Sequence, residues 1–419
     1  MPGRVLTPTD CYALINAIAK EATGQESTLQ AVNTSTFVSV GESILRTGTE
    51  NVLNALSLVL GRTFVAVRPY EAKLKIINAL NSGAYANRVR KISYYSRNAE
   101  PSGMFNTNLY TNLAMGYDNG SNGGSSVASM WEQNRPIALE MNFGGSSVWD
   151  YHTTIYEDQL KEAFRDESSF ATFVAGYLTE AANDVEMEKE AFNRACMLNY
   201  LAGIYDLNSV NGAAIDMTAA FNAYMGNPLP AITAADILGP TYFKQFLEYF
   251  VTTVKTISDT LTNRSLKYHW SPTKTVNGVT YDILRHTPKS KQKFLLYKPF
   301  WRAAEAQVLP EIFNDKYLKL DNFEGVEFWQ NELAPASIDV TPAIPDTSDP
   351  TTQTAGTQVQ LDYVLGVIYD EDAMMTDFQL EDTLSTPVEA RKKYRNVFTH
   401  IKRNIINDFT ENGVLLYLG

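Results

Sequence analysis

Hydrophobic and polar positions along this chain follow several rhythms, and each rhythm predicts an element. Near the start, Cys11, Leu14, Ile15 and Ile18 share one helical face, and Thr9 or Asp10 can act as the cap. This spacing predicts a short helix over Thr9–Glu21. Thr23–Gly41 is polar and Ser/Thr-rich and reads as an extended arm. Helical spacing returns over Glu42–Leu60, with Gly61 as its stop, and Arg62–Tyr70 reads as a strand closed by Pro69. Two strand-like pieces, Arg88–Ser96 and Pro136–Phe143, flank a Gly/Asn/Ser-rich stretch over Pro101–Ser129. The pentapeptide GGSSV occurs at Gly123–Val127 and again at Gly144–Val148, which reads as two similar turns. A structureless connection of that length is out of place in a compact domain, whereas a long two-stranded ribbon accounts for it. An isolated ribbon is marginal in water, so this one is expected to lie on something else.

The strongest helical signal runs from Ile155 to about Ala202, opened by a capping box at Thr154-x-x-Glu157. Phe164, Ala171, Leu178, Val185 and Phe192 recur every seven residues, with Leu160, Val174 and Ala181 on the same stripe. Gly176, mid-run, costs about 1 kcal/mol relative to Ala and marks a candidate kink or break. Unbroken, the helix would be roughly 70 Å long at ~1.5 Å per residue. The expected radius of gyration of a compact chain this long is only about 22 Å. Such a helix would be a spine rather than a bundle member.

Beyond Gly203 the pattern is mixed α/β. A helix is predicted over about Thr241–Leu261, and Val276-Asn277-Gly278-Val279 is a hairpin turn signature. Phe294–Tyr297 reads as a strand and Trp301–Val308 as a short helix ended by Pro310. Leu333–Gln358 reads as a surface loop, Tyr363–Tyr369 as a buried strand and Tyr394–Ile406 as another strand. Glu411-Asn412-Gly413 is a turn, and Val414–Leu418 is an apolar strand expected to dock in a sheet.

Composition narrows the function classes. With 419 residues and 44% hydrophobic, the chain can bury a sizeable core, and two to four folding units are expected. Disorder and a long charged coiled coil are excluded. Thirty-five basic residues against 47 acidic give a net charge of −12, which disfavours a whole-chain polyanion-gripping role. That charge is segregated. Ala72–Ala99, Ile283–Ala304 and Ala390–Asn407 hold 18 of the 35 basic residues and no acid, which leaves the remainder of the chain at −30. Glu157–Arg194, on the spine, carries ten acids against four bases. The ribbon therefore starts basic and the spine is acidic, a pattern that suggests charge complementarity within or between subunits. The 23 Tyr, 20 Phe and many Asn suit extended contact surfaces. Two cysteines, Cys11 and Cys196, rule out a disulfide scaffold and fit a reduced site of synthesis. The first residues lack the pattern of a signal peptide, and no apolar run reaches the length of a membrane span.

No catalytic constellation emerges. His152, His269, His286 and His400 are scattered without metal-ligand spacing, and no P-loop is present. Asp118–Asn122 lacks the closing Glu of a calcium loop, and Gly144-Gly145-Ser146-Ser147 is no nucleophile elbow. The carboxylate pairs Asp370/Asp372 and Glu371/Asp377 could serve a glycosidase but are common by chance, and Cys196 reads as an inert buried thiol. No catalytic, cofactor-binding or metal residue is assigned.

The order of parts is an arm, a basic extended loop, a long acidic spine, an α/β middle and a final sheet. Local stretches accompany it: Arg88-Val89-Arg90-Lys91-Ile92-Ser93, Val367-Ile368-Tyr369-Asp370-Glu371-Asp372-Ala373, and Asn404–Leu418. This series resembles the major capsid protein of tailed bacteriophages, an α+β architecture known as the Hong Kong 97-type fold. The resemblance implies an N-terminal arm with helices over residues 1–65 and an extended loop over 66–150. It also implies a peripheral domain over 151–205 and 361–419, and an axial domain over 206–360. By the same resemblance, copies assemble as hexamers and pentamers into an icosahedral shell around double-stranded DNA, without sequence-specific binding or a membrane. Portal, scaffold or decoration proteins are possible partners, and the shell would be built in the host cytoplasm. Only about 40 residues precede the second predicted helix, without sustained heptads, so a separate scaffold protein, or none, is implied. The candidate contact residues between subunits are Arg88, Arg90, Lys91 and Arg97 of the ribbon, facing Glu180, Asp184 or Glu188 of a neighbouring spine. The rival readings are an encapsulin-like compartment, a tail or portal protein, and a soluble carboxylate-dependent glycan-active enzyme.

Overall fold

The computed structural model describes residues 8–23, 30–33, 36–37, 39–41, 73–74, 77–80, 88–96, 136–144, 147–156, 158–159, 167–208, 212–276, 279–307, 323–346 and 352–419. The predicted helix at Glu42–Leu60, the strand at Arg62–Tyr70 and the glycine-rich stretch Pro101–Ser129 lie outside the described residues. In chain order the elements begin with α1 (Pro8–Thr23), β1 (Asn78–Leu80), β2 (Arg88–Tyr94), β3 (Ala138–Gly144), β4 (Ser147–Tyr156) and α2 (Glu167–Asn208). Next come β5 (Ala214–Asp216), α3 (Met217–Tyr224), α4 (Ala234–Leu238), α5 (Phe243–Leu261), β6 (Lys274–Val276), β7 (Val279–Tyr281), β8 (Gln292–Tyr297) and α6 (Lys298–Gln307). The remainder is β9 (Phe323–Val326), β10 (Ile338–Val340), β11 (Ala343–Pro345), β12 (Gln353–Ala355), β13 (Val359–Leu361), β14 (Tyr363–Asp370), β15 (Met374–Ser385), β16 (Tyr394–Asn407) and β17 (Gly413–Leu418).

These elements pack as two units. The first takes Met1–Val89, Gly144–Met197 and Met374–Asn407; the second takes Arg90–Phe143, Leu198–Ala373 and Asp408–Gly419. Residues 361–419 contribute strands to a sheet in each unit.

In the first unit, a four-stranded sheet has the order β1-β15-β16-β4, with β1 parallel to β15 and the other pairs antiparallel. Strand β16 alternates. Arg395, Val397, Ile401 and Arg403 are buried, while Asn396, Phe398, His400 and Lys402 are half-exposed. The buried set meets α2. The Cys196 thiol reaches Asn407 Oδ1 at 3.1 Å, Asn407 Nδ2 donates back to the Cys196 carbonyl at 3.1 Å, and Phe192 packs on Phe378.

The spine begins later than its sequence signal. The predicted capping box at Thr154 is not a helix start, because Thr154 and Ile155 lie in β4, which pairs with β16 over ten residues. Thr154 Oγ1 donates to Asn396 Oδ1 at 2.7 Å instead of capping a helix. A cap contributes about 1 kcal/mol. The aromatic and β-branched run SVWDYHTTIY gains a full cross-strand ladder in its place. The helix itself has 42 residues, about 63 Å at 1.5 Å per residue, and Gly176 does not interrupt it.

The second unit holds a five-stranded sheet of order β5-β17-β14-β8-β9. Its inner strands are apolar throughout: β8 is buried at all six positions and β14 at seven of eight. That pattern requires cover on both faces. Part of the apolar core comes from α5, with Phe246 edge-on to Phe221 at 5.4 Å and Phe250 to Phe300 at 5.4 Å. The predicted C-terminal strand docks as β17, between β5 and β14. The hairpin β6–β7 closes at Val276↔Val279, around the predicted Asn-Gly turn. The expected loop Leu333–Gln358 is more ordered than its composition suggests, since it carries β10, β11 and β12, paired β10 with β13 and β11 with β12. Strands β2 and β3 form the two-stranded ribbon root that the sequence predicts.

Candidate functional site: the ribbon root and the spine

The alternation of β2 sends Arg90, Ile92 and Tyr94 outward and turns Lys91, Ser93 and Tyr95 inward. The inward ammonium of Lys91 meets the carboxylates of Asp408 and Glu411, at the turn between β16 and β17. Arg285 joins the same cluster. Its Nε lies 3.3 Å from Glu411 Oε1 and donates to the Thr410 carbonyl at 3.1 Å, while Nη2 donates to Ser93 Oγ at 2.6 Å. The hydroxyl of Thr410 donates to Asp408 Oδ1 at 2.7 Å, so the acid that receives Lys91 is itself held in place. The network therefore contains two cations and two anions, and Asp408 is 1% exposed.

Burial opposes the charge on Lys91, but the adjacent Asp408 and Glu411 outweigh it and hold the Lys91 pKa above the ordinary lysine value. Burial also raises the Glu411 carboxyl, with Asp408 adding to the rise while Lys91 and Arg285 oppose it. Nearby, Tyr200 stacks on Phe409 at 5.6 Å, and burial pushes its phenol well above the usual range. The result is a charge-paired clamp between the root of the ribbon and the C-terminal turn.

On the spine, Glu188 accepts from Arg403 Nη2. The Arg403 guanidinium lies over Trp149 at 4.6 Å and over Phe192 at 4.4 Å. Tyr151, on the adjacent strand, has its phenol pushed up to about 12, first by burial and then by the charge of Glu188.

The candidate contact residues thus divide. Arg90 pairs with Glu140 of β3 at 2.6 Å, Lys91 with Asp408 and Glu411, and Glu188 with Arg403, while Asp184 is exposed. Arg88 lies in β2 and Glu180 in α2 by their backbones, and Arg97 is outside the described residues. None of the described ribbon cations takes an acid of α2 as its ion-pair partner; each has one on its own unit. The residues that the sequence did not single out are Glu140, Arg285, Arg403, Asp408 and Glu411. Arg285 and Arg403 do fall in the acid-free basic stretches. Lys91 and Asp408 stand 317 positions apart, and no local signal joins them.

The remaining candidates are structural. His269 Nε2 lies 2.7 Å from the Ile283 carbonyl, and burial lowers its pKa. His152 packs on Phe398. Asp370 is buried and accepts from Thr287 Oγ1 at 2.7 Å, while Lys291 pairs with Glu371 and Asp372. Among the described residues no cluster of three His, Cys, Asp or Glu side chains is placed to hold a metal. Among the same residues, no helix is long and apolar enough to cross a membrane.

Comparison with known proteins bears on what such an arrangement serves. The family model described as "Phi29-like phage major capsid protein" matches residues 113–417. The fold is similar to that in the capsid structure of Staphylococcus phage Andhra, at a TM-score of 0.51 and 11% identity, covering 83% of this chain and 84% of that one. A structure of the head fiber and inner core protein gp22 of bacteriophage P68 matches at a TM-score of 0.48 and 9% identity, over 83% of this chain and 84% of that chain. No curated protein sequence matches at a significant level. The α+β architecture is thus of the Hong Kong 97 type expected from the sequence.

Proposed function

This chain belongs to the Phi29-like phage major capsid protein family, and from that premise we propose how its parts serve a shell. It is a structural subunit of a viral capsid, copies of it assemble with one another, and its place is the virion. In our reading the subunit works without catalysis. Its chemistry is contact between copies, in hexamers and pentamers that close into an icosahedral shell around double-stranded DNA. Heterologous contacts of this kind close into rings when their rotation permits, and several interfaces of modest area per subunit add up by multivalency.

The observation that carries this reading is the family match, which takes in the spine, three strands of the four-stranded sheet and nearly all of the five-stranded one. The electrostatics support it. A chain at −12 resists tight, general adhesion to packaged DNA, because Lys/Arg contacts to phosphate dominate such affinity. Portal, scaffold or decoration proteins are partners consistent with a shell, assembly belongs in the host cytoplasm, and neither a membrane nor a sequence-specific DNA contact is required. The arm (1–65) and extended loop (66–150) are read as the appendages through which neighbours hold one another. Arg90, which is exposed, remains the ribbon cation best placed to meet an acid of another copy.

Negative-stain microscopy of the purified chain, combined with nuclease-resistant nucleic-acid content, tests the reading. Closed angular shells are expected. Discrete small particles would overturn it in favour of the glycan-active enzyme, open tubes or rings would favour a tail or portal protein, and shells loaded with cargo protein would favour an encapsulin-like compartment.

A further inference from the structure

Strands β15 and β16 are joined by a turn over residues 386–393. It carries Arg391, Lys392 and Lys393 side by side, all exposed, against a single acid, Glu389. Its own hydrogen bonds fix its backbone. Glu389 N donates to the Tyr394 carbonyl at 2.9 Å, and Lys393 N to the Glu389 carbonyl at 2.8 Å. Thr386 N donates to the Asn396 carbonyl at 2.9 Å, and Asn396 N donates back to Thr386 Oγ1 at 3.1 Å. The buried Arg395 guanidinium donates to the Thr386 carbonyl, and the Glu389 carboxylate accepts from the backbone N–H of Lys392. Lys393 has a φ of +54°, in the left-handed region. A residue with a Cβ pays ~1–2 kcal/mol there, whereas glycine adopts it freely. The chain nonetheless places a third cation at this position, and strain of this kind points to a use for the side chain. Other cations of the basic stretches are taken up by folding: Lys289 pairs with Asp259, Lys291 with Glu371 and Arg403 with Glu188. Arg391, Lys392 and Lys393 form no ion pair among the described residues.

We propose that this turn binds the phosphate backbone of double-stranded DNA through Arg391, Lys392 and Lys393, and gives each subunit a weak hold on the DNA that its shell encloses. The inference rests on the shell reading above, which supplies the DNA. The competing occupant is an acidic segment of a second copy, and the side-chain chemistry disfavours it. Lysine is depleted at protein–protein contacts, whose cores are anchored by aromatic, Met and Arg side chains. Two of the three cations here are lysines, and the three offer charge without an apolar anchor. Phosphate oxygens ask only for such donors, and contacts made to them alone carry no sequence information. One turn with three cations holds DNA loosely at physiological salt, while many copies around one duplex add up. The acidity of the whole chain, −12, confines the contact to the turn and keeps it reversible.

The test is fluorescence anisotropy of a labelled duplex of ~20 base pairs with the unassembled chain, over ~20–200 mM salt. Each neutralised phosphate contributes about 0.9 to the slope of log affinity against log salt, so three contacts predict a slope of about −2.7. Arg391→Gln, Lys392→Gln and Lys393→Gly should each flatten the slope by about 1, and the triple variant should lose at least ~10-fold in affinity at the lowest salt. Lys393→Gly should unfold in urea no earlier than wild type, because glycine relieves the left-handed backbone; its lost affinity is then lost charge and not lost fold. Particle yield of wild type and triple variant is measured alongside. A flat wild-type slope, or one that the triple variant leaves unchanged, overturns the DNA contact whether or not shells form. Unchanged DNA binding with particle yield down at least ~10-fold in the triple variant overturns it in favour of an acidic segment of another copy. A wild-type chain that forms no particle but keeps the slope difference leaves the phosphate site standing and overturns the shell reading.

Discussion

Replacing Arg403 with methionine should destabilise the unassembled chain by about 3 kcal/mol. The guanidinium is 4% exposed, donates to Glu188 and lies between the rings of Trp149 and Phe192, at 4.6 and 4.4 Å. A hydrogen bond to a charged group contributes roughly 1.5–3 kcal/mol, and the lower half applies because Glu188 is 29% exposed and regains water when it loses its partner. The two ring contacts add ~0.5–2 kcal/mol each, rising with desolvation. One term runs the other way. Arg403 Nε is buried without an acceptor among the described residues, a cost of roughly 1 kcal/mol that methionine removes. Methionine fills much of the slot between the rings, so little cavity penalty is added. Urea unfolding followed by tryptophan fluorescence reads the loss, since Trp149 forms one wall of the slot. Arg403→Lys keeps the charge but not the planar stacking, and should fall between the two, at about 1–2 kcal/mol. A double-mutant cycle with Glu188→Gln should return a coupling of about 1–2 kcal/mol. A loss below ~0.5 kcal/mol for the methionine variant, or a lysine variant as stable as wild type, would refute the stacking argument.

Three further outcomes are expected. Lys91→Met should cost about 2 kcal/mol, because it removes the ammonium that pairs with buried Asp408 and leaves Glu411 with Arg285. The Lys91 pKa is raised on folding, so its contribution is complete below the unfolded value near ~10.4 and is lost as pH rises through the folded value; a stability gap between variant and wild type that stays open above that pH contradicts the pairing. Gly203→Ala should destabilise by about 1 kcal/mol, since its new methyl group overlaps the Phe409 ring, and overpacking (~1–3 kcal/mol) exceeds the helix-propensity gain of about 1 kcal/mol; a stabilised variant in the same urea assay would show that the ring moves freely. Burial pushes the Cys196 thiol up to about 12, so iodoacetamide at pH 8 should leave it unmodified in the folded chain and alkylate it only in denaturant, as read by peptide mass.

Elements with an unambiguous rhythm were legible in the sequence. The helix Phe243–Leu261, the strands around Phe294–Tyr297 and Tyr363–Tyr369, and the apolar C-terminal strand all lie where their hydrophobic positions place them. The spine was legible in its body but not at its start, because a four-residue capping signal and a ten-residue strand pattern overlapped at Thr154 and the longer ladder won. Strand β15 gave no clean signal. Its run MMTDFQLEDTLS mixes five apolar residues with polar ones off the strict alternation, and a bulge between Phe378 and Leu380 shifts its register. It is held as a strand by β16 on one side and by β1 along part of the other, which is tertiary context that no local window contains.

The charge pattern has a different lesson. An acid-free stretch shows only that the acids are not sequence neighbours, and that is equally true of a stretch whose partners lie far along the chain. All three basic stretches illustrate this. Lys91 finds Asp408 and Glu411, Arg285 finds Glu411, Lys291 finds Glu371 and Asp372, and Arg403 finds Glu188. These pairs draw much of the segregated charge into folding a single subunit and reduce what is left to steer its neighbours. The cations that stay exposed, such as Arg90 and the Arg391-Lys392-Lys393 turn, are screened over about 8–10 Å at physiological salt. Charge of that kind can choose a register but supplies little of the energy of a contact. The larger contribution must come from apolar surface that folding leaves exposed, such as Val148 and Tyr156 on β4. If so, particle yield should depend only weakly on salt and strongly on polar substitutions at Val148 and Tyr156, whereas an interface driven by the ribbon cations would show the opposite order.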